Sequence, residues 1–309
     1  MQHREKSVLE FWDRKNHLNI SNKEYRNFLE KFFYFFLNED IKGNDITTNS
    51  IIKKNKKISA VIVAKEDGIF AGLDEFRLLN TDLNLKFFKN DGDEIKTGDI
   101  LIEMKGNAKK ILSRERFFLN LLQRMGGIAT VTNLLNKKLK SRIKIAATRK
   151  TLWSMMDKKA VSIGNGLTHR LNLNDGILIK DNHLKILDGD IEKALNLANN
   201  KSKYIEIEVE NKEQALKAAN YVKKTISKKI SFGRNFFAIM FDKIPPKEIK
   251  SIIQEIKNMN LHGQILFEAS GNINVENILE YANCGVDIIS MGCLTNPGKS
   301  LNMSLEILK

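Results

Sequence analysis

Cysteine is scarce in this sequence, and long uncharged apolar runs are missing. The cysteines are Cys284 and Cys293 alone, too few for a disulfide framework or a cluster of cysteine metal ligands. No stretch reaches the roughly 18 uncharged apolar residues that identify a membrane-spanning helix. The first residues carry charges of both signs and lack the apolar segment of a secretory signal. We therefore expect a cytoplasmic protein that does not enter the membrane.

The chain is strongly basic, with a formal net charge of +14 over 309 residues. An excess of lysine and arginine favours nucleic-acid phosphates. Here, however, the lysines are spread along the chain, and no basic block is interleaved with aromatic residues. A general attraction for small anions explains the charge equally well, and we expect no nucleic-acid partner. The alternative, an RNA-binding protein on an enzyme-like scaffold, would bind nucleic acid with steep salt dependence and would not need a pocket.

The N-terminal part of the sequence predicts helices and an antiparallel sheet. Residues 1–20 have weak periodicity and are predicted to be an extension that packs late or not at all. Ser21 to Glu24 matches a capping box, and an aromatic stripe over 25–36 predicts a helix with a buried or interface face. Short strands separated by turns between 58 and 104 predict an antiparallel layer.

A helix is predicted over residues 113–125. Its apolar side is continuous, while a narrow polar stripe is formed by Arg116, Asn120, Gln123 and Arg124. Gly126 and Gly127 follow directly and permit close approach of another segment. The stripe is therefore predicted to lie at an interface.

From residue 143 onward, strand and helix patterns alternate. The predicted strands are 143–147, 160–163, 176–179, 204–209, 236–241, 264–269 and 286–291. The predicted helices between them are 152–159, 190–200, 211–223, 246–258 and 274–283. Seven such units predict a parallel α/β sheet that is closed or nearly closed into a barrel, with a doubly wound sheet as the alternative.

Charged residues gather at the predicted ends of these strands. Five side chains follow the first three strands and predict a polyanion pocket, because a buried strand needs no cation at its end unless an anion is held there: Arg149, Lys150, His169, Arg170 and Lys180. In a parallel barrel, active residues lie at this end of the strands.

Carboxylates gather at the next strands. Glu206, Glu208 and Glu210 alternate and share one face, so they repel each other unless cations or a metal neutralise them. Structural ion pairs inside the barrel are the alternative reading. Glu208 and Asp242 could hold a Mg²⁺-bound diphosphate and ribose hydroxyls. The last strands end at Ser270-Gly271 and Gly292, where backbone N–H groups commonly bind phosphate.

The motifs resemble one known family. Three central motifs are TRKT (148–151), HR (169–170) and DGILIKDNH (175–183). Further segments are GNDITT (43–48), VIVAKEDGIFAG (61–72), RERFFLNLLQRMGGIATVT (114–132), IEIEVEN (205–211), EASGNI (268–273) and GVDIISMGCLT (285–295). Together they resemble the quinolinate phosphoribosyltransferases (carboxylating nicotinate-nucleotide diphosphorylases) over most of the chain.

The resemblance implies an architecture and a reaction. The fold would be an N-terminal α/β sandwich domain (21–126), an open seven-stranded parallel α/β barrel (127–292) and a C-terminal segment (293–309) that packs back on the first domain. The enzyme would be a homodimer with shared active sites, with a higher oligomer left open. With Mg²⁺, it would convert quinolinate and phosphoribosyl diphosphate to nicotinate mononucleotide, diphosphate and CO₂ in NAD biosynthesis.

The resemblance also implies residue roles. Arg149, His169 and Arg170 would meet the quinolinate carboxylates, with Lys150 and Lys180 nearby and Arg116 arriving from the partner subunit. Glu208 and Asp242 would serve the ribose and Mg²⁺. Ser270, Gly271 and Gly292 would bind the 5′-phosphate. Lys150, Glu208 and Asp242 are the predicted catalytic residues.

The sequence departs from the family pattern in several loops. The departures are Ala147, the segment LWSMM at 152–156, Asn165, Lys243, Asn272 and the pair Asn296-Pro297. They affect loop geometry and diphosphate contacts rather than the substrate-contacting cations.

The alternative function is that of a related phosphoribosyltransferase that uses another anionic ring, such as nicotinate without decarboxylation. The complete KDNH (180–183) and HR (169–170) motifs favour quinolinate.

Overall fold

The computed structural model describes residues 2–53, 55–140, 143–227 and 236–308. The chain divides into two compact units. The barrel unit comprises Met1–Arg14, Leu135–Lys150 and Gly166–Cys293. The sandwich unit comprises Lys15–Leu134, Thr151–Asn165 and Leu294–Lys309. No helix in the described ranges is both long enough and apolar enough to cross a membrane.

The helices and strands alternate along most of the described chain. The helices are α1 (Gln2–Trp12), α2 (Lys23–Ile41), α3 (Ile46–Ile51), α4 (Leu73–Leu79), α5 (Ala108–Lys138), α6 (Met155–Ile163), α7 (Asp181–Ile186), α8 (Ile191–Ala198), α9 (Lys212–Ser227), α10 (Pro246–Asn258) and α11 (Ile278–Tyr281). The strands are β1 (Lys57–Ala64), β2 (Gly68–Ile69), β3 (Asn84–Phe87), β4 (Glu94–Ile95), β5 (Ile100–Asn107), β6 (Lys144–Ala147), β7 (Ile177–Ile179), β8 (Tyr204–Val209), β9 (Phe236–Asp242), β10 (Ile265–Ser270), β11 (Ile288–Met291) and β12 (Met303–Leu308).

The sandwich unit contains the predicted antiparallel sheet, with strand order β12-β1-β5-β3. The residues from Ala60 to Ala64 of β1 are all buried, so this part of the sheet is covered on both faces. Phe118 and Leu122 of α5 belong to the same core. The prediction of an antiparallel layer is confirmed.

The predicted capping box at the start of α2 is wrong by one residue. The N-cap is Asn22, whose side chain accepts the N–H groups of Glu24 at 3.0 Å and Tyr25 at 3.1 Å. The Ser21 hydroxyl instead donates to the side chain of Asn19. Asparagine is as good an N-cap as serine, so the choice depended on where the chain turns.

Helix α5 is longer than the predicted 113–125. It continues through Gly126 and Gly127 to Lys138, although glycine weakens a helix. A Cβ atom on Gly127 would lie 1.9 Å from the carbonyl oxygen of Lys299. The glycine therefore permits a close approach of the C-terminal segment, and it does not end the helix.

The barrel unit contains a six-stranded parallel sheet, with strand order β6-β11-β10-β9-β8-β7. The predicted α/β class is confirmed, but the predicted strand 160–163 is wrong, because those residues end helix α6. Met156, Ala160 and Val161 are buried at helical spacing, and a short apolar run does not distinguish helix from strand. In the place of a seventh strand, Leu167 forms one isolated parallel bridge to Ala146.

The prediction that residues 1–20 pack late or not at all is wrong for the first helix. Val8, Phe11 and Trp12 of α1 are buried. They pack with side chains of the barrel unit, namely Ala146, Leu167, Ala238, Leu266 and Ile288. Their spacing of i, i+3 and i+4 places them on one helical face, but three residues gave too weak a sequence signal.

Candidate active site

A cavity of about 440 Å³ lies at the carboxyl ends of the barrel strands. Nine of the eleven predicted site residues line it: Arg149, Lys150, His169, Arg170, Lys180, Glu208, Asp242, Ser270 and Gly271. Parallel strands bring their carboxyl ends to one edge, and each of these residues ends or follows such a strand or lies in the irregular segment 164–176. The sequence therefore identified the residues that the fold brings together in this cavity.

Gly292 and Arg116 do not line this cavity. Gly292 follows β11, and a Cβ atom there would lie 3.2 Å from Cδ of Lys150, so the glycine borders the lysine stem. Arg116 is exposed on α5 in the sandwich unit. Its predicted stripe divides in two, because Gln123 and Arg124 make internal contacts in that unit: Gln123 donates to the carbonyl oxygen of Met303 and Arg124 to Asp157.

Two carboxylates of the cavity, Glu208 and Asp242, each have a lysine partner. Lys180, at the end of β7, forms an ion pair with Glu208. Lys243 lies 3.0 Å from Asp242. Lys243 is one of the departures from the family motif, and the structure places its ammonium beside the predicted catalytic aspartate. No local sequence signal predicts this contact.

Gly271 occupies a position that requires glycine. Its φ angle is +86°, and a Cβ atom would lie 2.4 Å from Oδ1 of Asp242. Positive φ is readily adopted only by glycine. The glycine therefore lets the backbone after β10 pass close to Asp242.

Two residues of the cavity lining, His169 and Glu268, form a buried triad with Glu206. The Nε2 atom of His169 is 2.9 Å from Oε2 of Glu268 and 3.4 Å from Oε2 of Glu206. All three side chains are almost inaccessible to solvent, and their potential ligand atoms lie within 4.8 Å of one another. Sequence analysis singled out Glu206 and His169 but not Glu268, which the alternation of Glu268 and Ser270 along β10 could have revealed.

Burial and the neighbouring charges shift the pKa values of all three side chains in the triad. Burial, and then the charge of Glu268, raise the pKa of Glu206. Burial raises the pKa of Glu268 as well, but the contacts with His169 outweigh this, and its pKa is lowered overall. Burial lowers the pKa of His169, while the two carboxylates more than compensate and raise it to about 9. These shifts favour a protonated Glu206 beside an ionised Glu268.

Both ring nitrogens of His169 are used inside the protein. Nδ1 accepts the backbone N–H of Arg170 at 2.8 Å, which favours the neutral ring with its proton on Nε2, facing the carboxylates. The two carboxylates favour the doubly protonated ring, so these contacts oppose each other. In this arrangement the ring offers no N–H to a ligand. Direct contact between His169 and a substrate carboxylate stays a prediction.

Two arginines at the cavity repel each other. Burial, and then the positive charge of Arg149, lower the pKa of Arg170. Arg149 is exposed, while Arg170 is half-buried and donates to the carbonyl oxygen of Gly176 at 3.1 Å. An anion bound between the two guanidinium groups would relieve this repulsion, which suits a ligand with more than one carboxylate.

Known proteins match this chain along most of its length. Residues 45–126 match the family model described as the N-terminal domain of quinolinate phosphoribosyl transferase. Residues 128–306 match the model of its C-terminal domain. This chain belongs to the quinolinate phosphoribosyl transferase family.

Individual members of the family are similar over most of their length. A protein of Methanocaldococcus jannaschii named "Probable nicotinate-nucleotide pyrophosphorylase (carboxylating)" is 41% identical over 88% of this chain and 95% of its own. The chloroplastic nicotinate-nucleotide pyrophosphorylase (carboxylating) of Arabidopsis thaliana is 34% identical over 85% and 78%. The crystal structure of nicotinate-nucleotide pyrophosphorylase from Ehrlichia chaffeensis has a TM-score of 0.76 and 32% identity over 90% and 98%.

Proposed function

We propose that this chain catalyses the quinolinate phosphoribosyltransferase reaction of NAD biosynthesis. Quinolinate and phosphoribosyl diphosphate are converted to nicotinate mononucleotide, diphosphate and CO₂. The observation that carries the proposal is the cavity itself, in which two mutually repelling arginines face lysine-paired carboxylates in a member of this family. The arginines suit a dicarboxylate, and the carboxylates suit the hydroxyl groups of a ribose.

The chemistry divides between two sides of the cavity. Breaking the anomeric C–O bond of the sugar releases diphosphate, whose charge Lys150 and Lys180 stabilise. The ring nitrogen forms the new bond to the sugar carbon and becomes positively charged. When the adjacent C–CO₂ bond then breaks, this nitrogen stabilises the electron pair left on the ring carbon, which takes up a proton. The protein chiefly holds the dicarboxylate beside the sugar carbon and excludes water.

Mg²⁺ is part of the proposal. Glu208 and Asp242 supply carboxylate oxygens, the donors that Mg²⁺ prefers, and they lie on the same face of neighbouring strands β8 and β9. Since Lys180 and Lys243 already pair with them, the ion would be held mainly through the diphosphate. When bound, Mg²⁺ stabilises the charge of the departing diphosphate.

The proposal extends to the assembly. In a homodimer, Arg116 of the partner subunit would complete each cavity, and the exposure of Arg116 on α5 is compatible with this role. The cytoplasmic location expected from the sequence belongs to the same proposal. Ser270, Gly271 and Gly292 would bind the 5′-phosphate through the backbone after their strands.

The direct test is a product assay. The protein is incubated with phosphoribosyl diphosphate and Mg²⁺, together with either quinolinate or nicotinate. We expect nicotinate mononucleotide from quinolinate and little from nicotinate. Product from nicotinate alone would instead support a transferase for another anionic ring. If neither substrate gives product, the proposal fails.

A further inference from the structure

The segment that carries His169 and Arg170 has little regular structure of its own. It leads from the end of α6 to β7, an edge strand of the open sheet, and its contact with the strands includes the single bridge between Leu167 and the other edge strand, β6. His169 also has a φ angle of +53°, a left-handed conformation that a non-glycine residue adopts only when its surroundings enforce it. Something outside the sheet must therefore hold this segment.

The end of the N-terminal helix makes that contact. The backbone N–H of His169 donates to the carbonyl oxygen of Trp12 at 2.7 Å. The backbone N–H of Arg14 donates to Oγ1 of Thr168 at 2.7 Å. Both bonds join backbone of the N-terminal segment to the residue in the left-handed conformation or to its neighbour.

The Arg14 side chain fixes the other end of the same segment. Its Nε atom donates to Oδ1 of Asp175 at 2.7 Å, and Oδ2 of Asp175 accepts the backbone N–H of Leu171 at 2.9 Å. The guanidinium carbon lies 4.3 Å from the centre of the Tyr204 ring, within the range of a cation–π contact. Arg14 thereby connects Leu171, directly after Arg170, to β8.

The N-terminal segment is itself anchored. Trp12 is completely buried and Phe11 nearly so, within the cluster that includes residues of β6, β9, β10 and β11. Another Arg14 nitrogen donates to the carbonyl oxygen of Glu10 at 2.9 Å, inside the last turn of α1. The end of α1 that contacts Thr168, His169 and Asp175 is therefore itself held in place by packing and hydrogen bonds.

We infer that residues 2–14 are a functional part of the ligand site, with Arg14 as a positioning residue that fixes the segment carrying His169 and thereby places the Arg170 guanidinium for ligand binding. Arg14 acts through the segment 168–175 and does not line the cavity. The inference rests on the proposed function only for the identity of the ligand, quinolinate. The contacts themselves do not depend on it.

One experiment measures the segment without any ligand. Hydrogen exchange is compared in the full-length wild type, Arg14→Gln and Arg4→Gln. Arg4 is a matched control because it lies on the same helix and also pairs with a carboxylate, Asp287, at 2.6 Å. We expect faster exchange of the His169 and Leu171 amides in Arg14→Gln and not in Arg4→Gln. Asp175→Asn, a smaller change on the other side of the contact, should show the same pattern.

A second experiment measures binding. Calorimetry with the same variants should show quinolinate affinity reduced roughly tenfold or more in Arg14→Gln, because a small misplacement of a binding group is costly. Arg14→Lys should be intermediate, and the affinity for phosphoribosyl diphosphate with Mg²⁺ should be unchanged.

Equal exchange in Arg14→Gln and Arg4→Gln would overturn the inference. So would faster exchange with unchanged quinolinate affinity. If the wild-type protein binds no quinolinate, the proposed function is refuted. The exchange data would still test whether Arg14 holds the segment 168–175 in place.

Discussion

At the scale of single residues, the cavity has charged side chains that can bind a ligand and a buried cluster of His169, Glu206 and Glu268. The sequence predicted Arg149, Glu208 and Asp242 at the strand ends because charge at the end of a buried strand is a local signal. Arg170 was also predicted to be a site residue, but the strand assumed before it is the end of helix α6.

The sequence did not predict the triad, because alternation along β10 marks Glu268 as facing the same side as Ser270 but does not show that His169, 99 residues earlier in the chain, contacts it. It also did not predict that both nitrogens of His169 are occupied, because that depends on the backbone turn at Arg170.

Arg149→Lys tests the dicarboxylate side of the cavity. Lysine keeps the charge but loses the planar fork that matches a carboxylate. The kcat/KM for quinolinate should fall roughly ten- to hundredfold, the value of a hydrogen bond to a charged group, while the thermal midpoint is retained. Steady-state kinetics measure this, with Arg77→Lys on α4 as the control. An unchanged kcat/KM would remove Arg149 from the site.

Asp91→Asn tests an unusual acid in the sandwich unit. Asp91 accepts the N–H groups of Gly72 and Leu73, where α4 begins. Burial, and then the charge of Glu75, raise its pKa to about 6. The folded protein thus holds this proton more tightly than the unfolded chain, and the resulting stability is lost as the pH rises from about 4 through about 6.

Asparagine removes this charge and keeps an acceptor. The free energy of unfolding of Asp91→Asn relative to wild type should therefore rise between pH 4 and pH 7, by at most about 3 kcal/mol. Urea unfolding at several pH values measures it. In Asp99→Asn the trend should be opposite, because hydrogen bonds from Lys89 and the Lys96 backbone lower the pKa of Asp99. A difference from wild type that does not vary with pH would contradict the assignment.

At the scale of elements, the sequence identified the strands better than it identified the ends of the chain. Five of the six parallel strands have four or more residues with strong apolar patterns. Four of the six lie within predicted segments, while β9 and β10 each extend one residue past the predicted end. The strand predicted at 160–163 failed because its apolar run is as suitable for a helix. The packing of helix α1 was not predicted, because its three buried residues contact barrel residues that are far away in the sequence.

Helix α6 begins at a buried ion pair that provides an element-scale prediction. Arg124 donates to both oxygens of Asp157 at 2.7 Å, and Asp157 also accepts the N–H groups of Leu152 and Trp153. Asp157→Asn leaves a buried arginine charge without its counter-ion and should reduce the free energy of unfolding by about 3–5 kcal/mol. Chemical denaturation measures this. Glu306→Gln, which removes an exposed pair with Lys65, should have little effect. Equal effects of the two substitutions would contradict the structural role of Asp157.

At the scale of the whole molecule, the proposed homodimer shares its sites. Arg116→Ala and Lys150→Ala should each be nearly inactive alone. When the two variants are mixed and allowed to exchange subunits, half of the dimers are hybrids that hold one intact and one doubly altered site. Activity should recover to about a quarter of wild type, by this counting alone. If mass spectrometry shows hybrids and activity stays at the level of the single variants, Arg116 acts within its own subunit.

The coupling of phosphoribosyl transfer to decarboxylation tests the account most directly. Quinolinate is labelled with ¹³C in either the 2-carboxyl or the 3-carboxyl group and incubated with the protein, Mg²⁺ and phosphoribosyl diphosphate. Labelled CO₂ should come from the 2-carboxyl group alone, in equal amount to the diphosphate released, and only when phosphoribosyl diphosphate is present. The 3-carboxyl label should remain in nicotinate mononucleotide. Diphosphate release without CO₂, or CO₂ without diphosphate, would contradict the assigned function.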